Sequence, residues 1–245
     1  MTAELKTFAD VLDAVPRPAE DAAQGTRTKY ATQFANKLAV LFANHLRTTF
    51  KGILPHADGT GQESRARTAK GFKKLDVNYS TPELGLGLGV SLKHIHQRDS
   101  STKRYTKNYS RNDNELRSEA MDYHERQPYA VMIGVLFLPY DAADDCGTKK
   151  NDPSSFGAAV RYFRNRAGRS RVDAPADLFE KFYIALYEHS GPDRGKVDFY
   201  DVDRQKPPFG RRPTPNEVVT FEGFVDEVIR VYDARNDPPF HWAED

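Results

Sequence analysis

An aspartate and a lysine on neighbouring predicted strands have the clearest capacity for chemistry in this chain. Asp76 lies in the apolar segment 72–79, FKKLDVNY, and Lys93 follows seventeen positions later, close to the end of the segment 84–96, LGLGLGVSLKHIH. Cleaving a phosphodiester needs a divalent ion that activates water and neutralises charge on phosphate oxygens. A lysine beside such an ion orients or deprotonates the water, or stabilises the transition state. This pair therefore predicts a metal-dependent phosphodiesterase site.

The segment that carries Lys93 alternates strictly from Leu84 onward. One side consists of Leu84, Leu86, Leu88, Val90 and Leu92, and the other of Gly85, Gly87, Gly89, Ser91 and Lys93. A period of two predicts a strand with one buried face. Glycine inside a strand costs stability and marks a place where another backbone or a ligand approaches closely.

Asp76, then Ser91-Leu92-Lys93 on the following strand, then a helix and a buried strand, resembles the PD-(D/E)xK nucleases, a superfamily that includes many restriction endonucleases. The resemblance covers about residues 28–138 and implies an αβββαβ core, Mg²⁺ as cofactor and hydrolysis of DNA. Two positions depart from the family pattern. Leu75 replaces a proline, and Ser91 stands where the family has its second acid.

Ser91 cannot hold a metal ion as a carboxylate does, so the resemblance implies an acid supplied from the following helix, as in family members with the same SxK arrangement. Glu115 and Glu119 are one helical turn apart there and point the same way. We favour Glu119, which is next to the small Ala120, with Glu63 and Glu83 as weaker candidates. The expected catalytic residues are Asp76, Ser91, Lys93 and Glu119, and the expected metal ligands are Asp76 with Glu119 or Glu115.

Other interpretations of these residues stay open at this point. Asp76 could pair with Lys73 or Lys74 at a strand edge while Lys93 ends a solvated strand. The run Gly85–Gly89 suggests a dinucleotide loop, but such loops open a helix, whereas here the strand alternation continues. His94 and His96 share a strand face and could ligate a metal, although two histidines without a third ligand are more often packing or DNA-contacting residues.

The net charge of +1 conceals basic stretches that suit a polyanion. The segment 102–111, TKRYTKNYSR, interleaves cations with tyrosines. We expect phosphate contacts from Lys103, Arg104, Lys107 and Arg111, and base stacking by Tyr105 and Tyr109. The alternative is a mobile surface loop. The five arginines of 161–171 are a second candidate for phosphate binding, or else they solvate a helix end.

Hydrophobic periodicity predicts a mixed α/β fold, with a central mixed sheet flanked by helices. The predicted helices are 5–15, 28–50, 113–126, 154–164, 175–188 and 217–235, and the further strands are 129–138 and 196–202. We expect an N-terminal extension over 1–27, a nuclease core over 28–140 and a mostly helical C-terminal elaboration over 141–245. That elaboration would serve specificity, dimerisation or docking of a partner.

Composition limits the classes of protein to which this chain can belong. The chain has 245 residues, 29% of them charged, and one cysteine, Cys146, which excludes an internal disulfide and a cysteine-based zinc site. No apolar run suits a membrane span, and the N-terminus lacks a secretory pattern, so we expect a cytoplasmic protein.

The sequence therefore predicts a Mg²⁺-dependent DNA endonuclease of restriction type, with defence against foreign DNA as one suggested role. Its expected partners are DNA, duplex rather than single-stranded, and either a second copy of the chain or a partner protein of a defence system. The alternative functions are a catalytically inactive nucleic-acid-binding module or a regulatory subunit with the same fold.

Overall fold

The computed structural model describes residues 4–82, 85–147, 151–203 and 208–236. Within these ranges the helices are α1 (Phe8–Ala14), α2 (Gln24–Leu46), α3 (Tyr109–Arg126), α4 (Ser155–Phe163) and α5 (Phe221–Arg235). The strands are β1 (Ser64–Thr68), β2 (Gly71–Leu75), β3 (Val77–Thr81), β4 (Gly85–His94), β5 (Val131–Pro139), β6 (Lys181–Tyr187) and β7 (Val197–Asp201). No helix of the described ranges is long and apolar enough to cross a bilayer.

The central sheet has the strand order β3-β4-β5-β6-β7 and is mixed. The outer pairs β3–β4 and β6–β7 are antiparallel, whereas β4–β5 and β5–β6 are parallel. Parallel neighbours need a long crossover, and α3 provides it between β4 and β5. The predicted fold class, a mixed α/β fold with helices around a central mixed sheet, is confirmed.

Helices cover both faces of this sheet. Helices α1, α2 and α5 pack on one face, through a core that includes Phe34, Leu41 and Phe224. Helices α3 and α4 pack on the other, through residues such as Tyr123 and Phe163. The middle strand β5 is buried along its whole length, as its continuous apolar sequence predicts.

The glycine face of β4 lies on the α3 side, where space is short. A Cβ atom on Gly89 would come within 2.7 Å of Met132 Sδ and 3.1 Å of Leu75 Cδ1. The strict alternation fails nearer the start of the strand, because the pairing with β3 skips from Leu88 to Leu86. This bulge turns Leu86 to the α3 side, while Leu88 stays on the α2 side. Leu84 is outside the described residues.

The predicted helix over 175–188 is wrong, because residues 181–187 form strand β6 between β5 and β7. Its sequence KFYIALY also satisfies a helical period, but it is a short run rich in aromatic residues that is buried on both faces, which is typical of a central strand. The region after residue 140 therefore contributes two strands to the central sheet. At the other end of the chain, α1 packs into the same core through Phe8, Val11 and Leu12.

The segment 51–70, whose glycines and proline predict a loop, contains strand β1, which pairs antiparallel with β2. The predicted strand 73–79 is accordingly split: β2 ends at Leu75, Asp76 is a bend, and β3 begins at Val77. Helix α3 supports this hairpin, since the Tyr123 hydroxyl donates to the Lys73 carbonyl (2.8 Å) and Lys73 Nζ donates to Ser118 Oγ (2.7 Å).

A buried charged cluster joins the C-terminal helix to the sheet. The Glu180 carboxylate accepts hydrogen bonds from Arg169 Nη1 (2.9 Å), Arg235 Nη2 (2.6 Å) and the Met132 backbone N–H (2.7 Å). Both arginine side chains are almost fully buried. A buried carboxylate is tolerated only when it is paired and hydrogen-bonded in this way.

Candidate functional site

Four predicted site residues converge between the sheet and helix α3. Asp76 lies at the bend before β3, while Ser91 and Lys93 point from β4 toward α3. Glu119 returns from α3, which must pack here to bury Leu116, Ala120 and Tyr123. Crossover helix α3 thus brings an acid to the position that Ser91 leaves without charge.

Hydrogen bonds connect the four residues. The Ser91 hydroxyl donates to Glu119 Oε2 at 2.6 Å, and Lys93 Nζ donates to Glu119 Oε1 at 3.2 Å. The backbone N–H of Leu92 donates to Asp76 Oδ2 at 2.7 Å, which fixes that carboxylate against β4. Ser91 is fully buried, and its backbone lies opposite Gly134 of β5.

Glu115 occupies the edge of the same cluster. Its Oε2 lies 3.4 Å from Lys93 Nζ, and its Oε1 accepts a hydrogen bond from Arg111 Nε at 2.8 Å. Hydrogen bonding to Arg111 and the charge of Lys93 outweigh the effect of burial and hold the pKa of Glu115 below its usual range. Glu119 is nearer to Ser91, whereas Glu115 is more exposed and shared with Arg111.

Burial raises the pKa of the Asp76 carboxyl to about 6. The hydrogen bond from Leu92 and the charge of Lys93 oppose this shift, and the nearby carboxylates of Glu119 and Glu63 add to it. When they are ionised, Asp76, Glu115 and Glu119 carry three negative charges in this cluster, and Lys93 and Arg111 compensate two of them. Such a deficit of positive charge is what a bound cation would relieve.

Lys93 stays protonated. Burial acts to lower its pKa, but the carboxylates of Glu119 and Asp76 outweigh burial, and the pKa of Lys93 is raised. An ammonium group cannot take a proton from water. The geometry therefore favours Lys93 as an electrostatic stabiliser of negative charge rather than as a general base.

The donor set suits a hard cation. Asp76 and Glu119 supply carboxylate oxygens, and Mg²⁺ is commonly held by one or two carboxylates, with waters and substrate oxygens completing its shell. Across the described ranges, no three His, Cys, Asp or Glu side chains are grouped as a ready-made metal site. The residues thus fit Mg²⁺ as a partial ligand set, in which Asp76 and Glu119 would hold the ion.

The alternative pairing of Asp76 with Lys73 or Lys74 is not what the structure has. Lys73 forms an ion pair with Asp122 at 2.5 Å, and Lys74 forms a close ion pair with Glu63. Glu63 is thus the partner of Lys74 rather than part of the Ser91 network. Glu83, the other weaker candidate for the missing acid, is outside the described residues.

The predicted nucleic-acid contacts over 103–111 need correction at both tyrosines. Tyr105 is fully buried and its hydroxyl donates to Asp141, and Tyr109 is buried as the first residue of α3, with its hydroxyl donating to the Ser155 carbonyl. Neither ring can stack on a base, because a base cannot reach it without displacing the core.

The four cationic side chains of residues 103–111 differ in their contacts with the rest of the protein. Arg104 donates to the Pro153 carbonyl, Lys107 lies 3.5 Å from Asp99, and Arg111 pairs with Glu115. Lys103 is exposed. The proposed phosphate contacts of Lys103, Arg104, Lys107 and Arg111 stay a prediction, and three of the four side chains already have internal partners.

The arginines of 161–171 are also engaged within the fold. Arg166 pairs with Asp113 and Asp177, and Arg169 is part of the Glu180 cluster. They link helix α4 and the following loop to the rest of the chain, so phosphate binding is not needed to explain them.

His94 and His96 pack against the core. Burial lowers the pKa of His94 to about 4 and that of His96 to about 3, so both rings are neutral near pH 7. Their Nδ1 atoms are 3.2 Å apart, and the His96 ring lies against Tyr30. The packing interpretation fits this arrangement.

The sequence did not indicate two features around the site, the β1–β2 hairpin and the link from Arg111 to Glu115. The four-residue spacing of Arg111 and Glu115 on a helix was a usable signal for the second. Comparisons with protein-family models, with curated proteins and with solved structures found no match for this chain. The site geometry therefore carries the functional proposal by itself.

Proposed function

We propose that this protein is a Mg²⁺-dependent nuclease that hydrolyses phosphodiester bonds of DNA. The observation that carries the proposal is the network in which Ser91 and Lys93 both bind Glu119, while Leu92 holds Asp76 beside them. The acid that the SxK pattern lacks on the strand is supplied by the following helix, at hydrogen-bond distance from the serine that replaces it.

Each side chain has a role in this proposal. Asp76 and Glu119 hold the ion, which when bound would activate the attacking water and neutralise charge on the phosphate. Lys93, kept as ammonium by its carboxylate neighbours, stabilises negative charge that develops on the phosphoryl oxygens. Ser91 acts through Glu119 by fixing the position of its carboxylate, and Arg111 orients Glu115 at the margin of the site.

Two further observations support the proposal. The order β3, β4, α3 and β5 agrees with the last four elements of the αβββαβ core implied by the resemblance to PD-(D/E)xK nucleases, whereas the preceding strands β1 and β2 form a separate two-stranded sheet. The partly buried, unbalanced acidic site is also costly for stability, and such costs are typical of functional sites. The proposed setting is a cytoplasmic enzyme that acts on duplex DNA, with defence against foreign DNA as its suggested role.

The test is cleavage of supercoiled plasmid by the full chain with Mg²⁺. The wild-type protein should convert the plasmid to nicked or linear forms, and chelation of the metal should stop the reaction. Asp76→Asn and Lys93→Ala should abolish cleavage while the far-ultraviolet circular dichroism spectrum stays that of a folded protein.

Lys181→Ala is the matched control. Lys181 forms an ion pair with Asp201 at 2.8 Å in the same sheet, and its side chain is 16% exposed against 18% for Lys93. This variant loses a comparable ion pair away from the site and should still cut. If the wild-type chain binds DNA but does not cleave it, whichever divalent ion is supplied, the proposal fails. The alternative of a non-catalytic nucleic-acid-binding module then takes its place.

A further inference from the structure

The outer face of the β1–β2 hairpin is a surface that the site does not use. The inner face of the hairpin packs toward α3 and β4 through Ala66 and Leu75. The outer face consists of two cross-strand pairs, Arg65 opposite Lys74 and Arg67 opposite Phe72. We call these four residues the hairpin plate.

The hairpin plate carries positive charge that the fold does not compensate. Arg65 stands directly opposite Lys74, and like charges at such positions disfavour the pairing. Lys74 has Glu63 as a partner, but Arg65 and Arg67 have no acidic partner in the part of the chain that the structure describes. Several other exposed arginines do have one, as Arg171 with Asp173, Arg211 with Glu217 and Arg230 with Glu227, whereas Arg126 and Arg161 have none among the described residues. A polyanion bound to the plate would supply the missing negative charge.

Phe72 adds an aromatic surface to these charges. Its side chain is 60% exposed, the most of any large apolar residue in the described ranges. The Arg67 guanidinium lies over its ring, 5.6 Å from the centroid. An exposed ring flanked by cations is the combination with which proteins bind unpaired nucleic-acid strands, because the ring stacks on a base while the cations contact phosphates.

The plate is directly connected to the site. Strand β2 ends at Leu75 and Asp76 follows, so Phe72 lies four residues before the predicted metal ligand. At about 3.3 Å per residue these positions are roughly 13 Å apart, which is about four nucleotides of a stacked strand at ~3.4 Å each. A strand bound at the site would therefore reach the plate within a few nucleotides.

We propose that the hairpin plate binds an unpaired segment of the DNA strand that enters the site. Arg65 and Arg67 contact its phosphates, and Phe72 stacks on one of its bases. This inference rests on the proposed nuclease function and narrows its substrate from duplex DNA in general to duplex DNA with a single-stranded segment next to the bond that is cut.

The test measures the affinity of the full chain for labelled single-stranded and fully paired DNA over a range of salt, with a chelator present so that no strand is cut. Arg65→Ala/Arg67→Ala should reduce the slope of log affinity against log salt by about 0.7 for each lost contact, or about 1.4 in all, for single-stranded DNA. Phe72→Ala should weaken single-stranded binding by roughly tenfold or more, with a smaller effect on the paired duplex.

The control variants remove the same kinds of side chain, two cations or one phenylalanine, from surfaces outside the hairpin plate. Lys29→Ala/Arg230→Ala deletes two exposed cations from α2 and α5, on the opposite face of the sheet. Phe209→Ala deletes another exposed phenylalanine beneath an arginine, with Arg161 5.5 Å from its ring centroid. Both controls should bind DNA like the wild type.

Arg65→Glu separates binding from folding. The new carboxylate faces Lys74 across the hairpin, so the thermal midpoint should not fall, whereas binding of single-stranded DNA should weaken more than in Arg65→Ala.

Plate variants with unchanged salt slope and affinity would overturn the inference, as would equal losses of affinity in the control variants. If the plate variants bind DNA like the wild type while the wild type still cleaves DNA, only the hairpin inference is wrong and the proposed nuclease function stands. A wild type that neither binds nor cuts DNA removes both proposals, and tighter binding of RNA of the same sequence contradicts the assignment to DNA.

Discussion

Glu119 is the residue whose replacement tests the mechanism most sharply, because it occupies the role that Ser91 leaves open. Glu119→Gln keeps the size of the side chain and an oxygen that accepts the Ser91 hydrogen bond, but it removes the charge. Loss of a metal-binding carboxylate costs several kcal/mol of transition-state stabilisation. A loss of about 4 kcal/mol corresponds to about a thousandfold slower cleavage. The assay is single-turnover cleavage of labelled DNA at saturating Mg²⁺.

Ser91 should show its effect through Glu119. A hydrogen bond to a charged group is worth about 1.5–3 kcal/mol, so Ser91→Ala should slow cleavage by roughly tenfold to a hundredfold. In the Glu119→Gln background the same change should have little further effect, because the carboxylate that Ser91 positions is already gone. Equal effects of Ser91→Ala in both backgrounds would show that the two residues act independently.

Moving the acid back to the strand completes this prediction. Glu119→Ala removes the side chain that Ser91 contacts and leaves room for a longer residue at position 91. Ser91→Glu in that background should recover part of the lost rate, at least tenfold over Glu119→Ala alone. If Glu119→Gln and Glu119→Ala both cut at the wild-type rate, the reasoning is refuted and Glu115 becomes the next candidate.

Three predictions concern stability, each measured by urea unfolding with a chelator present. The pKa of Asp76 is raised to about 6, so ionisation of this carboxyl destabilises the folded state. The stability that the protonated carboxyl provides is fully present below pH ~4 and is lost as the pH rises through ~6. Above pH 6 the free energy of unfolding of Asp76→Asn should therefore exceed that of the wild type by up to about 3 kcal/mol. No gain in stability at pH 8 would contradict the conclusion that burial raises the pKa of Asp76. Gly89→Ala should lower the free energy of unfolding by about 1–3 kcal/mol, because the new methyl group would overlap Met132. An unchanged urea midpoint would show that there is space for a methyl group beside Gly89. Glu180→Ala should cost about 3–5 kcal/mol by leaving buried arginines such as Arg169 unpaired, and a loss below 1 kcal/mol would contradict the role of this cluster.

Much of the site followed from the sequence because its geometry depends on local rules. Alternation placed Ser91 and Lys93 on one face of β4, and helical spacing placed Glu115 and Glu119 on one face of α3. A parallel neighbour, β5, required α3 to cross back over the same face of the sheet. The family resemblance implied an acid from this helix, and the position beside Ala120 favoured Glu119 over Glu115, Glu63 and Glu83. The structure has the hydrogen bond from Ser91 to Glu119 at 2.6 Å.

The errors arose where local patterns are ambiguous or where tertiary packing decides. The run KFYIALY fits a helical period as well as a buried strand, and only its pairing with β5 and β7 makes it β6. The basic and aromatic segment 102–111 looked exposed, yet Tyr105 and Tyr109 are buried under α4 by contacts from residues about fifty positions away. The β1–β2 pairing was missed because its strands are short and polar, and they pack against α3, β3 and β4, which are distant in sequence or come later along the chain.

The position of a bound ion tests the central claim most directly. Crystals of the wild-type chain soaked in Mn²⁺, a stand-in for Mg²⁺ with anomalous scattering, should show one anomalous peak between the carboxylates of Asp76 and Glu119, beside Lys93. Crystals of Asp76→Asn treated in the same way should lack it. A peak elsewhere, or none in the wild type at an ion concentration that supports cleavage, would contradict the proposal that these two acids form the metal site of a nuclease.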